Sequence, residues 1–210
     1  KKEEKDPAVA EKYRALINAY PGSEAAARAL MYLGGYLVGL ERFDDAAAQY
    51  RTLLKDYMHV ALPVELPKAH EELANIAQWS HDRATATQHW QVIIEQFPDS
   101  RLTLDAFYHI ARGYTNLART PQEAIAIIEP HAASGPPVKQ ASALLVLGML
   151  YRESGLGQKA DAAQGRLRSE FPASPLVNDL ALQVDDFAKH YAWFKPRNKR
   201  TYSEAAALAE

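Results

Sequence analysis

Seven histidines give this chain its widest chemical reach: His59, His70, His81, His89, His109, His131 and His190. A histidine can ligate a metal or move a proton near neutral pH. None of the seven forms an H-E-x-x-H or H-x-x-x-H pair. His81 and His89 are eight residues apart, which on a helix puts them about two turns apart on one face, too far to share one ion unaided. His70-Glu71-Glu72 could begin a ligand set, and it reads equally well as a solvated helix face. The adjacent carboxylates Asp44-Asp45 and Asp185-Asp186 would point about 100° apart on a helix, so they suit first-turn charges better than an acid/base couple. The chain has no cysteine, which removes thiol nucleophiles, thiolate metal sites and disulfides. There is no G-x-S-x-G, no phosphate-binding loop and no dinucleotide fingerprint. Gly34-Gly35 falls inside a helical stretch, where close packing accounts for it. The expectation is a protein without catalytic residues, metal or cofactor.

The elements that would carry any site follow a repeat. Tyr20-Pro-Gly-Ser23, Phe97-Pro-Asp-Ser100 and Phe171-Pro-Ala-Ser174 lie 77 and 74 residues apart, each near twice 37. The half-periods fall near Lys55-Asp56-Tyr57 and on the breaker cluster Ser134-Gly135-Pro136-Pro137. A period of this size marks an array of supersecondary units. One insertion lies around Pro63–Pro67, within a long loop Met58–Pro67. In each tetrapeptide the Pro stops one helix and the Ser caps the next. Pro175, after Ser174, suits a first helical position.

Four copies align internally. A small residue recurs at Gly34, Ala74, Ala111 and Gly148, preceded by Leu33, Leu73, Ile110 and Leu147. Three residues later stand Leu37, Ala77, Tyr114 and Tyr151. A second small column holds Ala46, Ala86, Ala124 and Ala160, followed four residues on by Tyr50, Trp90, Ile128 and Gln164. Offsets of three and four are helical. Each copy therefore predicts two helices whose backbones approach at the small columns while large neighbours fill the gap.

This pattern resembles the tetratricopeptide repeat (TPR) family over roughly residues 8–190. Leu33-Gly34, Ala46, Tyr50 and Pro21 carry the resemblance, with Ile110-Ala111, Tyr114, Ala124 and Pro130, and Leu147-Gly148, Tyr151, Ala160 and Pro172. The second copy departs from the family pattern: Ala77 stands where a Tyr is usual. The Gly that usually closes the first helix is present only as Gly155. The Tyr/Phe-Pro-x-Ser turn and the period are similar to a subgroup of bacterial envelope proteins, such as the outer-membrane barrel-assembly lipoprotein and the Tol–Pal-associated periplasmic protein. That resemblance implies periplasmic or membrane-associated location and service as a scaffold. The lipidated Cys of its lipoprotein members is absent here. The opening Lys1-Lys2-Glu3-Glu4-Lys5-Asp6 lacks an initiator Met, so a segment cleaved or omitted upstream is expected.

In such arrays the first helix of each pair lines an inner groove. Offsets from the small column place Arg28, Met31, Gly35, Val38 and Gly39 there, then Lys68, Glu71, Asn75, Gln78 and Trp79. The third and fourth sets are Asp105, Tyr108, Arg112, Thr115 and Asn116, then Ser142, Leu145, Met149, Arg152 and Glu153. The candidate partner-binding residues are Lys68, Asn75, Gln78, Trp79, Tyr108, Arg112, Asn116, Met149 and Arg152, a mixture suited to a protein segment. Equally, Met31, Leu145 and Met149 could pack on a neighbouring helix, with the polar residues plain surface. A second candidate is the C-terminal patch of Tyr191, Trp193, Phe194, Lys195, Arg197, Lys199 and Arg200. Its aromatics could cap the last open face of the array. Its basic residues could meet an acidic protein or lipid headgroups. Single-strand nucleic-acid stacking is the third reading of such a mixture.

With 24 Lys+Arg against 26 Asp+Glu, the chain lacks the basic excess of a nucleic-acid binder, and no nucleic acid is expected as partner. Apolar residues at 48% and charged at 24% describe an ordinary globular chain. Its apolar runs are too short to span a bilayer. The fold class expected is all-α, a right-handed α-solenoid of about four to five TPR-like helix pairs. The division is 1–21 (charged segment and capping helix), 22–56, 57–96, 97–133 and 134–170 (four repeats), 171–194 (C-terminal capping helix) and 195–210 (basic linker and terminal arm). The function expected is a non-catalytic protein-interaction scaffold or assembly factor of the bacterial envelope. The alternative is a stable accessory subunit of a larger enzyme complex, including a membrane or redox one. In both, the partners are other proteins in a multi-subunit assembly, with peripheral membrane association through the basic patch.

Overall fold

The computed structural model describes residues 8–114 and 120–177. Nine α-helices lie among them: α1 Ala8–Ala19, α2 Glu24–Val38, α3 Phe43–Asp56, α4 Glu65–Trp79, α5 Arg83–Gln96, α6 Leu102–Arg112, α7 Pro121–Ile128, α8 Pro137–Glu153 and α9 Gly157–Glu170. A 3-10 turn, Glu129–Ala132, continues α7. No strand occurs among the described residues. The all-α, helical-repeat architecture expected from the spacing is the one observed.

The recurring tetrapeptides build one turn three times. The Ser N–H donates to the aromatic carbonyl three residues back: Ser23 to Tyr20 at 3.3 Å, Ser100 to Phe97 at 2.8 Å, Ser174 to Phe171 at 2.9 Å. Each Ser hydroxyl then accepts from an N–H at the head of the following helix: Ala26 at 3.1 Å, Leu102 at 3.2 Å and Leu176 at 3.3 Å. A helix start leaves such donors unmet, and a Ser oxygen at this position satisfies one of them.

Inside a pair, the first helix closes in a way the sequence did not announce. Glu41, His81 and Gly155 stand seven residues after Gly34, Ala74 and Gly148, and all three have left-handed φ values of 63°, 59° and 73°. The next N–H reaches back to the carbonyl of Leu37, Ala77 or Tyr151: Arg42 at 3.0 Å, Asp82 at 2.8 Å, Leu156 at 2.7 Å. This is a Schellman-type helix end, which ordinarily favours Gly at the left-handed position. Two of the three turns therefore run without the Gly that the family pattern leads one to expect. The loop after α3 also differs from expectation. Helix α4 starts at Glu65, so Pro67 lies in its first turn, where a missing N–H breaks no helical bond.

The chain forms two compact units, one up to Leu102 and one from Thr103 on. In the first, α1 to α5 pack each on the next, joined by connections short enough to make neighbours antiparallel. Its core includes Ala26, Leu30, Leu33 and Leu37 of α2, Ala46, Tyr50 and Leu53 of α3, and Leu73 and Ile76 of α4. In the second, α8 packs against α7, the 3-10 turn and α9. The Tyr151 hydroxyl donates to Glu129, whose carboxylate also meets Lys159 at 3.8 Å. Burial and then this carboxylate push the Tyr151 hydroxyl pKa well above the usual value. Arg166 donates to the Ala132 carbonyl at 3.2 Å and so ties α9 to the 3-10 turn.

The small columns meet the residues the spacing paired with them. A Cβ added at Gly34 would stand 2.6 Å from Cε1 and Cζ of Tyr50. At Gly148 it would meet Cγ of Gln164 at 3.3 Å. The offset of 16 residues is thus the same contact in the first and fourth copies. Ala74 with Trp90, and Ala111 with Ile128, are buried at the corresponding positions of the other two.

Candidate interaction site

In the first unit, α2, the loop before α4, the head of α4 and the turn into α6 enclose a hollow of about 180 Å³. Met31, Val64 and Leu102 supply its apolar lining, and Glu65, Lys68, Ser100 and Arg101 its polar one. Each is put there by a local feature. Met31 sits on α2 one residue after buried Leu30, so it emerges at the margin of the packed face. Glu65 opens α4 and folds back to accept from the Leu62 N–H at 2.9 Å. That bond fixes the preceding loop and leaves Val64 60% exposed. Ser100, Arg101 and Leu102 arrive with the Phe-Pro-Asp-Ser turn.

The hollow's charges are largely matched within the unit. Lys68 lies 2.5 Å from Glu71 and 3.1 Å from Glu72 on its own helix. Burial opposes its charge, but the two carboxylates outweigh this and hold its pKa above the usual lysine value. Glu65 lies 3.6 Å from the Arg28 guanidinium, which also pairs with Glu24. Arg101 is exposed at the edge. A mouth with an apolar floor and a charged margin can take an apolar side chain while orienting the polar backbone around it.

Of the groove residues expected from the sequence, Lys68 lines this hollow, as does Met31 of the wider set. Asn75 and Gln78 are half-buried on α4. Trp79 is half-buried with its ring 5.1 Å from Phe43 at the start of α3, so its indole is engaged within the unit. In the second unit, Tyr108 and Met149 are 6% and 8% exposed, and the Tyr108 hydroxyl reaches the Met149 sulfur at 3.7 Å. Ser142 and Leu145 are buried as well, because α8 is covered all round from Ala141 to Tyr151. Here the packing alternative describes what the side chains do. Arg112 is half-buried. Arg152 is exposed but turned to α9, donating to Asp161 at 3.1 Å and Gln164 at 3.4 Å. Asn116 and the patch Tyr191, Trp193, Phe194, Lys195, Arg197, Lys199 and Arg200 lie outside the described residues, as do Thr115, Asp185-Asp186 and His190.

Sequence reasoning missed Val64, Glu65, Ser100, Arg101 and Leu102. Offsets along first helices cannot reach residues supplied by turns. The signal available was the insertion around Pro63–Pro67 and the capping turn itself.

Comparison with known proteins adds little to this geometry. No protein-family model matches the chain, and no curated protein matches it. A solved structure described as the functional characterization of Pseudomonas aeruginosa pilF is similar at 17% identity, over 82% of this chain and 72% of that one, with a TM-score of 0.47. Among the described residues no helix is long and apolar enough to cross a membrane.

Proposed function

We propose that this chain is a non-catalytic scaffold that binds partner proteins, and that the hollow around Met31, Val64, Lys68, Arg101 and Leu102 receives an apolar side chain of a partner. The observation that carries this reading is Val64. A large apolar side chain is held open by the Glu65–Leu62 bond beside an apolar floor, inside an otherwise closely packed helix stack. Rigid helices spare the site most of the ordering entropy that a flexible receptor would lose on binding. Asn75 and Gln78, further along α4, extend the contact surface. The Tyr/Phe-Pro-x-Ser turns support the bacterial envelope as the setting, with assembly of a multiprotein complex as the task and the C-terminal aromatic-basic patch as a second contact.

The test is site-specific photo-crosslinking in the source cells. A photoreactive residue at position 64 or 101 should capture one and the same polypeptide, and one at exposed Gln88 or Glu95 should not. Equal capture at all four positions, or none at 64 and 101, would end the reading. Co-purification then separates two roles. A stoichiometric, salt-resistant complex marks an accessory subunit, and substoichiometric capture marks an assembly factor.

A further inference from the structure

Two histidines 19 residues apart in the sequence meet in the fold. His70 of α4 and His89 of α5 place their Nδ1 atoms 3.0 Å from each other. Their rings lie 5.3 Å apart at an interplanar angle of 47°, with Phe97 6.3 Å from His70 on one side. We propose that His70 and His89 form a bidentate imidazole site for a divalent transition cation of square-planar preference, Cu²⁺ in the first place. Neither histidine lines the hollow, and the proposal stands independently of the docking reading.

The bite and the donor type together select the metal. A cation about 2.05 Å from both nitrogens, at their observed separation, subtends about 94°, near the cis angle of a square-planar or tetragonal shell and well short of the tetrahedral angle that Zn²⁺ prefers. Two neutral nitrogen donors with water completing the shell favour Cu²⁺ over the other first-row cations. Among the described residues no set of three or more His, Cys, Asp or Glu gathers to compete for it. Both donors stand on helices packed directly on each other, so their separation is built in before a metal arrives. The ring torsion of His is broad, which lets both lone pairs turn onto one point. Without metal, one Nδ1–H donates to the other Nδ1. On binding, that proton moves to Nε2 of the same ring, so the protein releases no net proton. Burial lowers the pKa of both imidazoles, with help from His89 at His70 and from Arg51 of α3 at His89.

The test titrates CuCl₂ alone into the full chain at pH 7.5, read by calorimetry and electron paramagnetic resonance. The expected result is one tight equivalent with two nitrogen ligands, weakened tenfold or more in His70→Gln and in His89→Gln. Unchanged affinity in both folded variants would place the metal on other histidines and overturn the proposal. Should either variant fail to fold, the wild type decides by nuclear magnetic resonance. Substoichiometric Cu²⁺ must bleach the His70 and His89 imidazole signals ahead of those of His59, His81, His109, His131 and His190. Any other order refutes the site.

Discussion

Alanine at Gly34 and alanine at Gly148 should move stability in opposite directions, although the two glycines hold the same place in their repeats. At Gly34 the new methyl would stand 2.6 Å from two ring carbons of Tyr50, whereas carbon atoms in contact rest at about 3.5–4.0 Å. The ring must therefore retreat by about 1 Å. Tyr50 is 1% exposed and lies in the core with Leu33, Leu37 and Leu53, so nothing beside it can yield cheaply. Overpacking of this kind costs about 1–3 kcal/mol, and the better helix propensity of Ala returns about 1 kcal/mol. An encroachment of about 1 Å on a ring that is 1% exposed belongs in the upper part of that range, about 2–3 kcal/mol, so the net expectation for Gly34→Ala is a loss of about 1–2 kcal/mol. At Gly148 the neighbour is Cγ of half-exposed Gln164 at 3.3 Å, a flexible chain that can shift by a few tenths of an ångström. The propensity gain then dominates, and Gly148→Ala should stabilise by about 0.5 kcal/mol. Urea titration followed by far-ultraviolet circular dichroism measures both, with Trp79 and Trp90 fluorescence following the first unit. In the double variant Gly34→Ala/Tyr50→Leu the Ala penalty should vanish, a coupling of about 1 kcal/mol or more. If Gly34→Ala is neutral or stabilising, or the double variant shows no coupling, the pairing of the two helices is wrong.

Two further outcomes follow from turns and charges. Glu41→Gly and His81→Gly relieve left-handed backbone and should each raise the unfolding free energy from urea titration by up to about 1 kcal/mol, whereas Gly155→Ala should lower it by about 1–2 kcal/mol; the reverse pattern would deny that the three turns are equivalent. Stability should also fall on acidification. His70 is pushed down to about 4 by burial and then by His89, and His109 to about 4 by burial and then by Arg112. Each lies below its unfolded value of about 6.5, so the unfolded chain binds the proton first. Their contribution is complete above pH 6.5 and is lost as pH falls towards 4. Allowing for solvent screening, the loss is about 1–2 kcal/mol per group, and His70→Gln should flatten the dependence of the urea midpoint on pH between 6.5 and 4.

Much of the scaffold could be read from residue spacing because the signals are local. Ser23, Ser100 and Ser174 announce their caps by sitting after Pro at a fixed distance. Gly34 and Tyr50 announce their contact because two helices joined by a short turn leave little freedom of register. The turn residues Glu41 and His81 were illegible for the opposite reason. Their left-handed backbone is imposed by the packing of the helices on either side and overrides the preference of the side chain. The site was less legible than the fold. Helical offsets found Met31 and Lys68. They did not reveal that α8 is covered on every side, which takes Ser142, Leu145 and Met149 inward, or that Trp79 leans on Phe43. The meeting of His70 with His89 depends on the crossing of α4 and α5, and nothing in a separation of 19 residues marks it.

If the open hollow receives another protein, one affinity reports it. The polypeptide captured at positions 64 and 101 would be titrated into the wild type, Val64→Asp and Arg101→Glu by calorimetry, after their melting temperatures are shown to be equal. The dissociation constant should be weakened tenfold or more in each variant, about 1.4 kcal/mol. Wild-type affinity in both variants would contradict docking at the hollow.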